Sequence, residues 1–217
     1  MDLRTLTPLE ARVLGVLVEK QHTVPDTYPL SLNSLVAGVN QKTARDPVIN
    51  ATEAEVLTAV DGLKSLSLAF EGSGSRVVRF EHNMARVFSL PAASVALLTM
   101  LMLRGAQTSA ELRLHCERLH RFADISSVEG FLEELAGKEP ARVVKLPRAP
   151  GAREARWAHL LCGEVAFEAA AAAAPDGGVS AGEIAALKAE QSRLAAELAQ
   201  LRALVQRMAA ELGIDAG

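Results

Sequence analysis

Hydrophobic residues in the first third of the chain recur every three to four positions. This helical spacing runs from Leu9 to Leu17, from Leu32 to Val39 and from Val56 to Leu66, and it predicts three helices. The spacing then changes at Ser67 to Glu71 and at Arg76 to Glu81, two stretches that flank a glycine- and serine-rich turn. These stretches predict the two strands of a β-hairpin.

The same order of elements occurs a second time. Helical patterns cover Pro91 to Arg104, Thr108 to His120 and Ser126 to Ala136, and short strand patterns follow at Val143 to Leu146 and Ala155 to Leu161. Three helices followed by a hairpin is the order of a winged helix, a variant of the helix-turn-helix. The chain is therefore predicted to be mainly α with small β-hairpins, arranged as two tandem winged-helix domains. Two small α+β domains of another topology are the alternative.

Helix starts carry a recurring pattern, a hydroxyl residue followed three positions later by glutamate. At a helix N-terminus this pair forms a capping box, in which each side chain accepts a backbone N–H that otherwise lacks a partner. The pattern occurs at Thr7/Glu10, Thr52/Glu55, Thr108/Glu111, Ser126/Glu129 and Ser180/Glu183.

The C-terminal part of the chain changes character. An alanine run and a Pro-Asp-Gly-Gly sequence predict a linker over 166–179, and a strict heptad pattern then predicts a coiled-coil helix over 180–213. Its core positions are Ile184, Leu187, Gln191, Leu194, Leu198, Leu201, Val205, Met208 and Leu212. The pattern favours a two-stranded coil and therefore a homodimer. The alternatives are a helix that packs on the chain's own domains and a frayed tail.

Composition agrees with a folded chain of two domains. Of the 217 residues, 49% are hydrophobic and 23% are charged, which is typical of globular proteins and excludes disorder throughout. We place the first winged-helix domain at 1–87 and the second at 88–165.

Three longer motifs resemble a known family. The stretches Glu19 to Asn33, Asn40 to Pro47 and Leu146 to Trp157 are similar to signatures of the uncharacterised bacterial YceH-like proteins. The resemblance covers roughly residues 5 to 165. It implies a tandem winged-helix fold and no established activity.

Charge and targeting signals bear on the partners and the location of the protein. The net charge of −3 provides no overall positive field for nucleic acid. The two cysteines make no disulfide framework, the N-terminus has no signal-peptide pattern, and no apolar run approaches the ~20 residues that span a bilayer. These features predict a cytoplasmic protein with no membrane partner, and the resemblance implies a bacterial one.

Catalytic motifs are absent from the sequence. There is no glycine-rich phosphate loop, no G-x-S-x-G and no H-E-x-x-H. His115, Cys116 and His120 do not share one helix face, and Cys116 lies on the apolar stripe of its helix, so we expect a buried structural thiol. The sequence therefore predicts a protein that is not an enzyme and holds neither a metal nor a cofactor.

Positive charge is concentrated in the second predicted wing. Between Lys138 and Arg156 there are six Lys or Arg residues and two Glu residues. A basic hairpin can contact a row of phosphates or a minor groove, and the candidate residues are Lys145, Arg148, Arg153 and Arg156. The alternative is a solvated surface hairpin without a ligand.

A second candidate lies between the second and third helices of the first domain, close to the start of a recognition helix. Its residues are of types that bind base edges or phosphates: Asn40, Gln41, Lys42, Thr43 and Arg45. The alternative is that these side chains pin an irregular loop by hydrogen bonds to the backbone.

Both predicted third helices are acidic, which argues against recognition of DNA through the helix itself. They carry Glu53, Glu55, Asp61, Glu129, Glu133 and Glu134. The leading hypothesis is a DNA-binding protein of regulator type that uses its wings and loops and dimerises through its C-terminal coil. The alternative is a protein–protein interaction scaffold that does not bind DNA.

Overall fold

The computed structural model describes residues 4–72, 77–148 and 152–165. All of them fall within one compact unit, Met1–Ala173. The predicted linker, the heptad helix with its core positions, and the Ser180/Glu183 capping box lie outside the described residues.

The first repeat combines three helices with a small antiparallel sheet. Its strands are arranged in the order β1-β3-β2, so that β3, the second hairpin strand, also pairs with a short strand that precedes the second helix. The elements are α1 (Pro8–Thr23), β1 (Leu30–Ser31), α2 (Leu32–Val39), α3 (Glu53–Ser65), β2 (Ala69–Gly72) and β3 (Arg79–His82), with a 3₁₀ turn at Pro25–Thr27.

The second repeat follows the same order after one short helix that the sequence pattern does not predict. Its hairpin strands pair antiparallel, and Gln107, just before the second helix of the repeat, pairs with Trp157. The elements are α4 (Met84–Phe88), α5 (Ala92–Arg104), α6 (Ser109–His115), α7 (Ile125–Ala136), β4 (Val143–Lys145) and β5 (Trp157–His159). The described chain is thus mainly helical, with small antiparallel sheets.

The predicted capping boxes at Thr7, Thr52 and Thr108 are all confirmed. The one predicted at Ser126/Glu129 is wrong. Helix α7 begins earlier, because Asp124 in an extended conformation caps it and accepts a hydrogen bond from the Ser127 backbone N–H at 2.7 Å. Ser126 therefore lies inside the first turn, and Glu129 instead accepts a hydrogen bond from Ser109 Oγ at 3.3 Å.

The two hairpins share a four-residue pattern at their second strands, Arg-aromatic-x-His, at 79–82 and 156–159. Phe80 and Trp157 are 2% and 3% exposed, so both aromatic rings belong to the core. Burial lowers the pKa of both His82 and His159 to about 4. These imidazoles are therefore neutral at physiological pH.

The arginine of each pattern makes an equivalent bond. Arg79 donates to the carbonyl of Pro29 at 2.8 Å, and Arg156 donates to the carbonyl of Ala106, also at 2.8 Å. In each repeat the acceptor directly precedes the residue that pairs with the aromatic position, Leu30 or Gln107. The two hairpins are thus held by the same type of hydrogen bond.

Helix α1 lies at the centre of the unit. Every residue from Ala11 to Val18 is buried, and the helix packs against α2, α3 and α5. Buried hydrophobic residues of both repeats form one cluster. Backbone bonds also join the repeats, from Leu6 N to Leu161 O at 2.8 Å and from Asp46 N to Leu103 O at 2.9 Å. The segments 1–87 and 88–165 therefore share one core.

Gly38 allows the close approach of α2 to α1, and its replacement tests this packing. A Cβ at this position would lie 2.6 Å from Cγ1 of the fully buried Val16. We expect Gly38→Ala to lower the free energy of unfolding by about 1–3 kcal/mol, the usual cost of overpacking a core. The measurement is urea denaturation followed by circular dichroism.

Gly130 provides the matched control. It lies within α7, and a Cβ there would meet no atom within 4 Å. Gly130→Ala should raise stability by roughly 0.5–1 kcal/mol, because alanine favours helix. Equal effects of the two substitutions would contradict the proposed role of Gly38.

Candidate nucleic-acid interface

The exposed cations of the second wing lie at and beyond the paired strands. Lys145 ends β4, and its Nζ is 5.3 Å from the ring centroid of Trp157, in a cation–π contact. Arg148 and Arg153 are exposed and make no hydrogen bond or ion pair with another described residue. These two guanidinium groups are available to an external anion.

Arg156 occupies a different environment from the other candidates of this wing. Its guanidinium forms two hydrogen bonds with Glu111, at 3.1 and 3.2 Å, in addition to the bond to Ala106. The side chain is only 26% exposed. Arg156 therefore links the base of the second hairpin to α6, and its side chain has a structural role.

The candidate loop of the first repeat is held by its own side chains. The Asn40 amide donates to the Ala51 carbonyl at 2.8 Å and accepts from the Ala51 N–H at 2.7 Å. Gln41 donates to the Thr43 carbonyl at 2.9 Å and accepts from Lys20 at 3.3 Å. These bonds match the alternative interpretation of the loop, in which its polar residues fix its conformation.

Arg45 lies in the interior, with a side chain that is 0% exposed. It donates to both carboxylate oxygens of Glu19, at 2.6 and 3.1 Å, and to the carbonyls of Gly38 and Ala44 at 3.2 and 2.9 Å. A guanidinium in this position cannot reach a phosphate. Of the five loop candidates, only Lys42 and Thr43 are exposed.

The Arg45–Glu19 pair also sets the charge of the carboxylate. Burial alone would raise the pKa of Glu19, but the hydrogen bond and charge of Arg45, together with Lys20, outweigh burial and hold that pKa below 4.5. A depressed carboxylate pKa stabilises the folded state above the ordinary value. This contribution is lost as the pH falls below 4.5 and through the pKa of the folded state.

The third helices present carboxylates to solvent, as the sequence predicts. Glu53 and Glu55 are exposed at the start of α3, and Glu133 and Glu134 are exposed on α7. Hydrogen bonds from Thr52 lower the pKa of Glu55, so this carboxylate is fully charged at neutral pH. Both surfaces are unfavourable for contact with a phosphate backbone.

The thiol of Cys116 is buried, as predicted, and burial raises its pKa to about 12. Within residues 4–72, 77–148 and 152–165, no group of three or more His, Cys, Asp or Glu side chains is arranged to hold a metal ion. No helix in this part of the chain has the length and apolar character needed to cross a membrane.

The fold creates a cleft between the two repeats that the sequence does not predict. It has a volume of about 340 Å³ and is lined by the end of α1, the Gln41–Ala44 loop, the end of α5, and α6 with the residues after it. Three of its cations, Lys20, Arg104 and Arg118, are far apart in sequence. The packing of α5 against both α1 and α6 brings them together, so no local pattern could have indicated the cleft.

Comparison with known proteins gives a family. A family model described as "Protein of unknown function, DUF480" matches residues 6–152. The chain belongs to the DUF480 family. The resemblance to YceH-like proteins is consistent with this membership.

Relatives of this DUF480 family member carry the name UPF0502 protein. One from Burkholderia pseudomallei (strain 668) is 72% identical over 216 residues, which cover 99% of this chain and 92% of the relative. One from Burkholderia thailandensis is 70% identical over 215 residues, with the same coverage. One from Leptothrix cholodnii is 68% identical over 195 residues and covers 88% of each chain. These names state no activity.

Replacement of Arg45 tests its structural role in this DUF480 protein. We expect Arg45→Met to lower the free energy of unfolding by about 3–5 kcal/mol, because the substitution leaves the largely buried Glu19 carboxylate with only the longer 3.4 Å contact to Lys20. Adding Glu19→Gln should recover part of this stability. Chemical denaturation of the single and double variants measures both effects.

The control is Lys42→Met on the exposed side of the same loop, which should change stability by less than about 0.5 kcal/mol. If Arg45→Met behaves like Lys42→Met, then Arg45 does not hold the loop.

Proposed function

We propose that this chain is a non-enzymatic, regulator-type DNA-binding protein that contacts duplex phosphates through the wing of its second repeat. The proposal rests on Arg148 and Arg153, two exposed guanidinium groups with no partner among the described residues, next to the exposed Lys145. Arginines on a hairpin can follow a phosphate row or enter a minor groove. The local excess of cations compensates for the net negative charge of the chain.

The arrangement of elements supports a tandem winged helix as the framework of this function. In each repeat, a residue just before the second helix pairs with the second hairpin strand, Leu30 with Phe80 and Gln107 with Trp157. A winged helix combines three helices with such a small sheet. The shared Arg-aromatic-x-His pattern indicates that the two repeats have the same architecture.

The acidic third helices determine the kind of DNA binding that we propose. A recognition helix normally places donors against base edges in the major groove, whereas α3 and α7 offer carboxylates. Contact through the wing alone reaches mainly phosphates and sugars, which carry no direct sequence information. We therefore infer binding with weak sequence preference. Lys42 and Thr43 are the remaining candidates for additional contacts.

The wing proposal is tested by Arg148→Ala/Arg153→Ala in the full-length protein. Binding to mixed-sequence duplex DNA should weaken similarly for all sequences. The log–log dependence of affinity on salt, between about 50 and 200 mM, should flatten by about 0.9 for each phosphate that the variant no longer neutralises. Fluorescence anisotropy measures both quantities.

Arg86→Ala is the control for this test, since Arg86 is an exposed cation on α4, outside the wing. It should leave the salt dependence unchanged. Equal weakening in Arg86→Ala and in the wing variant would mean that overall charge, and not the wing, governs binding.

We further propose a homodimer formed through the heptad helix over 180–213. In a two-stranded coil the two copies would present two second wings to one duplex, which raises affinity by multivalency. We propose no cofactor and no membrane partner, and a cytoplasmic location remains a prediction.

The dimer is tested by Leu198→Ala/Leu201→Ala, which changes one a and one d position. Each leucine removed from a packed core typically costs ~2–5 kcal/mol, so the variant should sediment as a monomer at tens of micromolar, where the intact protein should be a dimer. Gln200→Ala, between these positions, should leave the dimer intact. An intact protein that sediments as a monomer would exclude this proposal.

A second candidate function is a protein-interaction scaffold, and the observation that favours it is the acidic surface of both third helices. Carboxylates such as Glu53, Glu55, Glu133 and Glu134 suit a basic protein surface better than DNA. The same anisotropy experiment separates the two functions. A folded, dimeric protein that shows no saturable DNA binding at the lowest salt supports the scaffold.

A further inference from the structure

We infer that the cleft between the two repeats binds a small molecule that combines an oxyanion, a phosphate or a carboxylate, with an apolar body. The volume of about 340 Å³ falls in the range of small-molecule sites, roughly 300–1,000 Å³. This inference does not depend on DNA binding, because the cleft and the second wing involve different cations.

Arg104 is the central feature of the cleft. It is only partly exposed, and it makes no hydrogen bond or ion pair with any other described residue. Burial lowers its pKa and the positive charge of Arg45 lowers it further, while the nearby Glu19 carboxylate partly offsets both effects. A half-buried guanidinium that forms no hydrogen bond is unfavourable, and a bound oxyanion would supply the missing acceptor.

Capping of helix α5 does not account for Arg104. A cation in the last turn of a helix can bond to the free carbonyls there, but the Arg104 guanidinium bonds to none of them, and three carbonyls near this end already have other partners. Met100 O accepts from Gln107 Nε2 at 3.0 Å, Leu101 O accepts from Gly105 N at 3.0 Å, and Leu103 O accepts from Asp46 N. Arg104 is therefore left free for a ligand.

The charges around Arg104 leave an excess of cations. Lys20 and Arg118 also line the cleft, with Glu19 and Glu117 as the carboxylates. Glu19 is already neutralised by Arg45 at 2.6 Å and by Lys20 at 3.4 Å. Counted together with Arg45 beneath the loop, four cations lie here against these two carboxylates. The cleft thus attracts an anion.

His115 is held in a defined orientation at the same cleft. Gln107 Nε2 donates to the carbonyls of Met100 and Gly105, so its Oε1 must be the acceptor in the 2.6 Å bond with His115 Nδ1. The proton of the neutral imidazole therefore lies on Nδ1. A fixed polar group of this kind is typical of a built site, where it orients a ligand.

An apolar surface completes the site and indicates the second part of the ligand. Leu114 is 67% exposed, whereas Met100 is 3% exposed, and both line the cleft together with Leu119. Burying an exposed leucine against an apolar ligand group is favourable. An inorganic anion alone would leave this surface in water.

Phenyl phosphate is the probe, because it joins both features, and inorganic phosphate and phenol each carry one of them. Isothermal titration calorimetry of the full-length protein, with ionic strength held constant, should give saturable binding of phenyl phosphate. This binding should be tighter than that of either fragment. Benzoate in a parallel titration distinguishes a carboxylate from a phosphate preference.

Two variants test the site, and a third variant is the control. Arg104→Met should weaken phenyl phosphate binding about tenfold or more, the effect expected of removing a charge-assisted hydrogen bond. Leu114→Ser, at a position too exposed to affect folding, should weaken phenyl phosphate but not inorganic phosphate. Arg86→Met removes the same charge elsewhere and should change neither.

The proposal is overturned if phenyl phosphate shows no saturable binding at millimolar concentration. It is also overturned if Leu114→Ser binds phenyl phosphate as tightly as the unaltered protein does, and so behaves like the control Arg86→Met. The Leu114→Ser result decides the matter even if Arg104→Met does not fold.

Discussion

The packing of α1 against α5 is the contact on which the rest of the structure depends. Gly15 lies at this contact, where a Cβ would come within 3.0 Å of the Leu103 side chain, which would have to shift. Because α1 also packs against α2 and α3, a single helix carries the core of the first repeat and the junction with the second. Separating the repeats would expose both the α1 surface around Gly15 and the buried face of α5. At about 25 cal/mol per Å² of apolar surface, such exposure is costly.

The Arg45–Glu19 ion pair links α1 to the exposed loop that follows α2. Glu19 lies near the end of α1, and Arg45 brings the loop after α2 onto that end at 2.6 Å. Replacement of a buried pair by apolar residues is often neutral for stability, so such pairs are better understood as fixing one conformation. Here the conformation that is fixed forms one wall of the cleft, through Gln41 and Ala44. An arginine that resembles a phosphate ligand in sequence is therefore part of the framework.

The sequence predicted the elements well because local rules determine them. Helical periodicity located α1, α3 and α5, and hydroxyl-glutamate caps located the starts of α1 and α3. Helix α1 continues to Thr23, beyond the periodic stretch that ends at Leu17. The errors occurred where two local signals compete. Asp124 and Ser126 can both cap α7, and a carboxylate two residues earlier in extended backbone prevailed. The short helix α4 has no side-chain cap bond and lies between the two repeats, where no periodic pattern is long enough to detect.

The site residues were harder to predict, because their roles depend on contacts between segments far apart in the chain. Arg45 and Arg156 have the composition of surface ligands, yet their partners Glu19 and Glu111 lie 26 and 45 positions away. Asn40 pairs with Ala51 across a loop. Residue type alone cannot distinguish a guanidinium that binds a phosphate from one that binds a buried carboxylate. The candidate arginines left exposed, Arg148 and Arg153, could be identified only after Arg45 and Arg156 had been assigned.

The two repeats share one arrangement of helices and strands but expose different side chains to solvent. Arg79 and Arg156 fasten their wings by the same bond to a backbone carbonyl, so these arginines belong to the shared architecture. The exposed positions differ: the first hairpin carries Phe70 and Glu71 in β2, whereas the second continues from Lys145 to Arg148. This difference between the two hairpins agrees with the proposed contact of the second hairpin with an anionic partner.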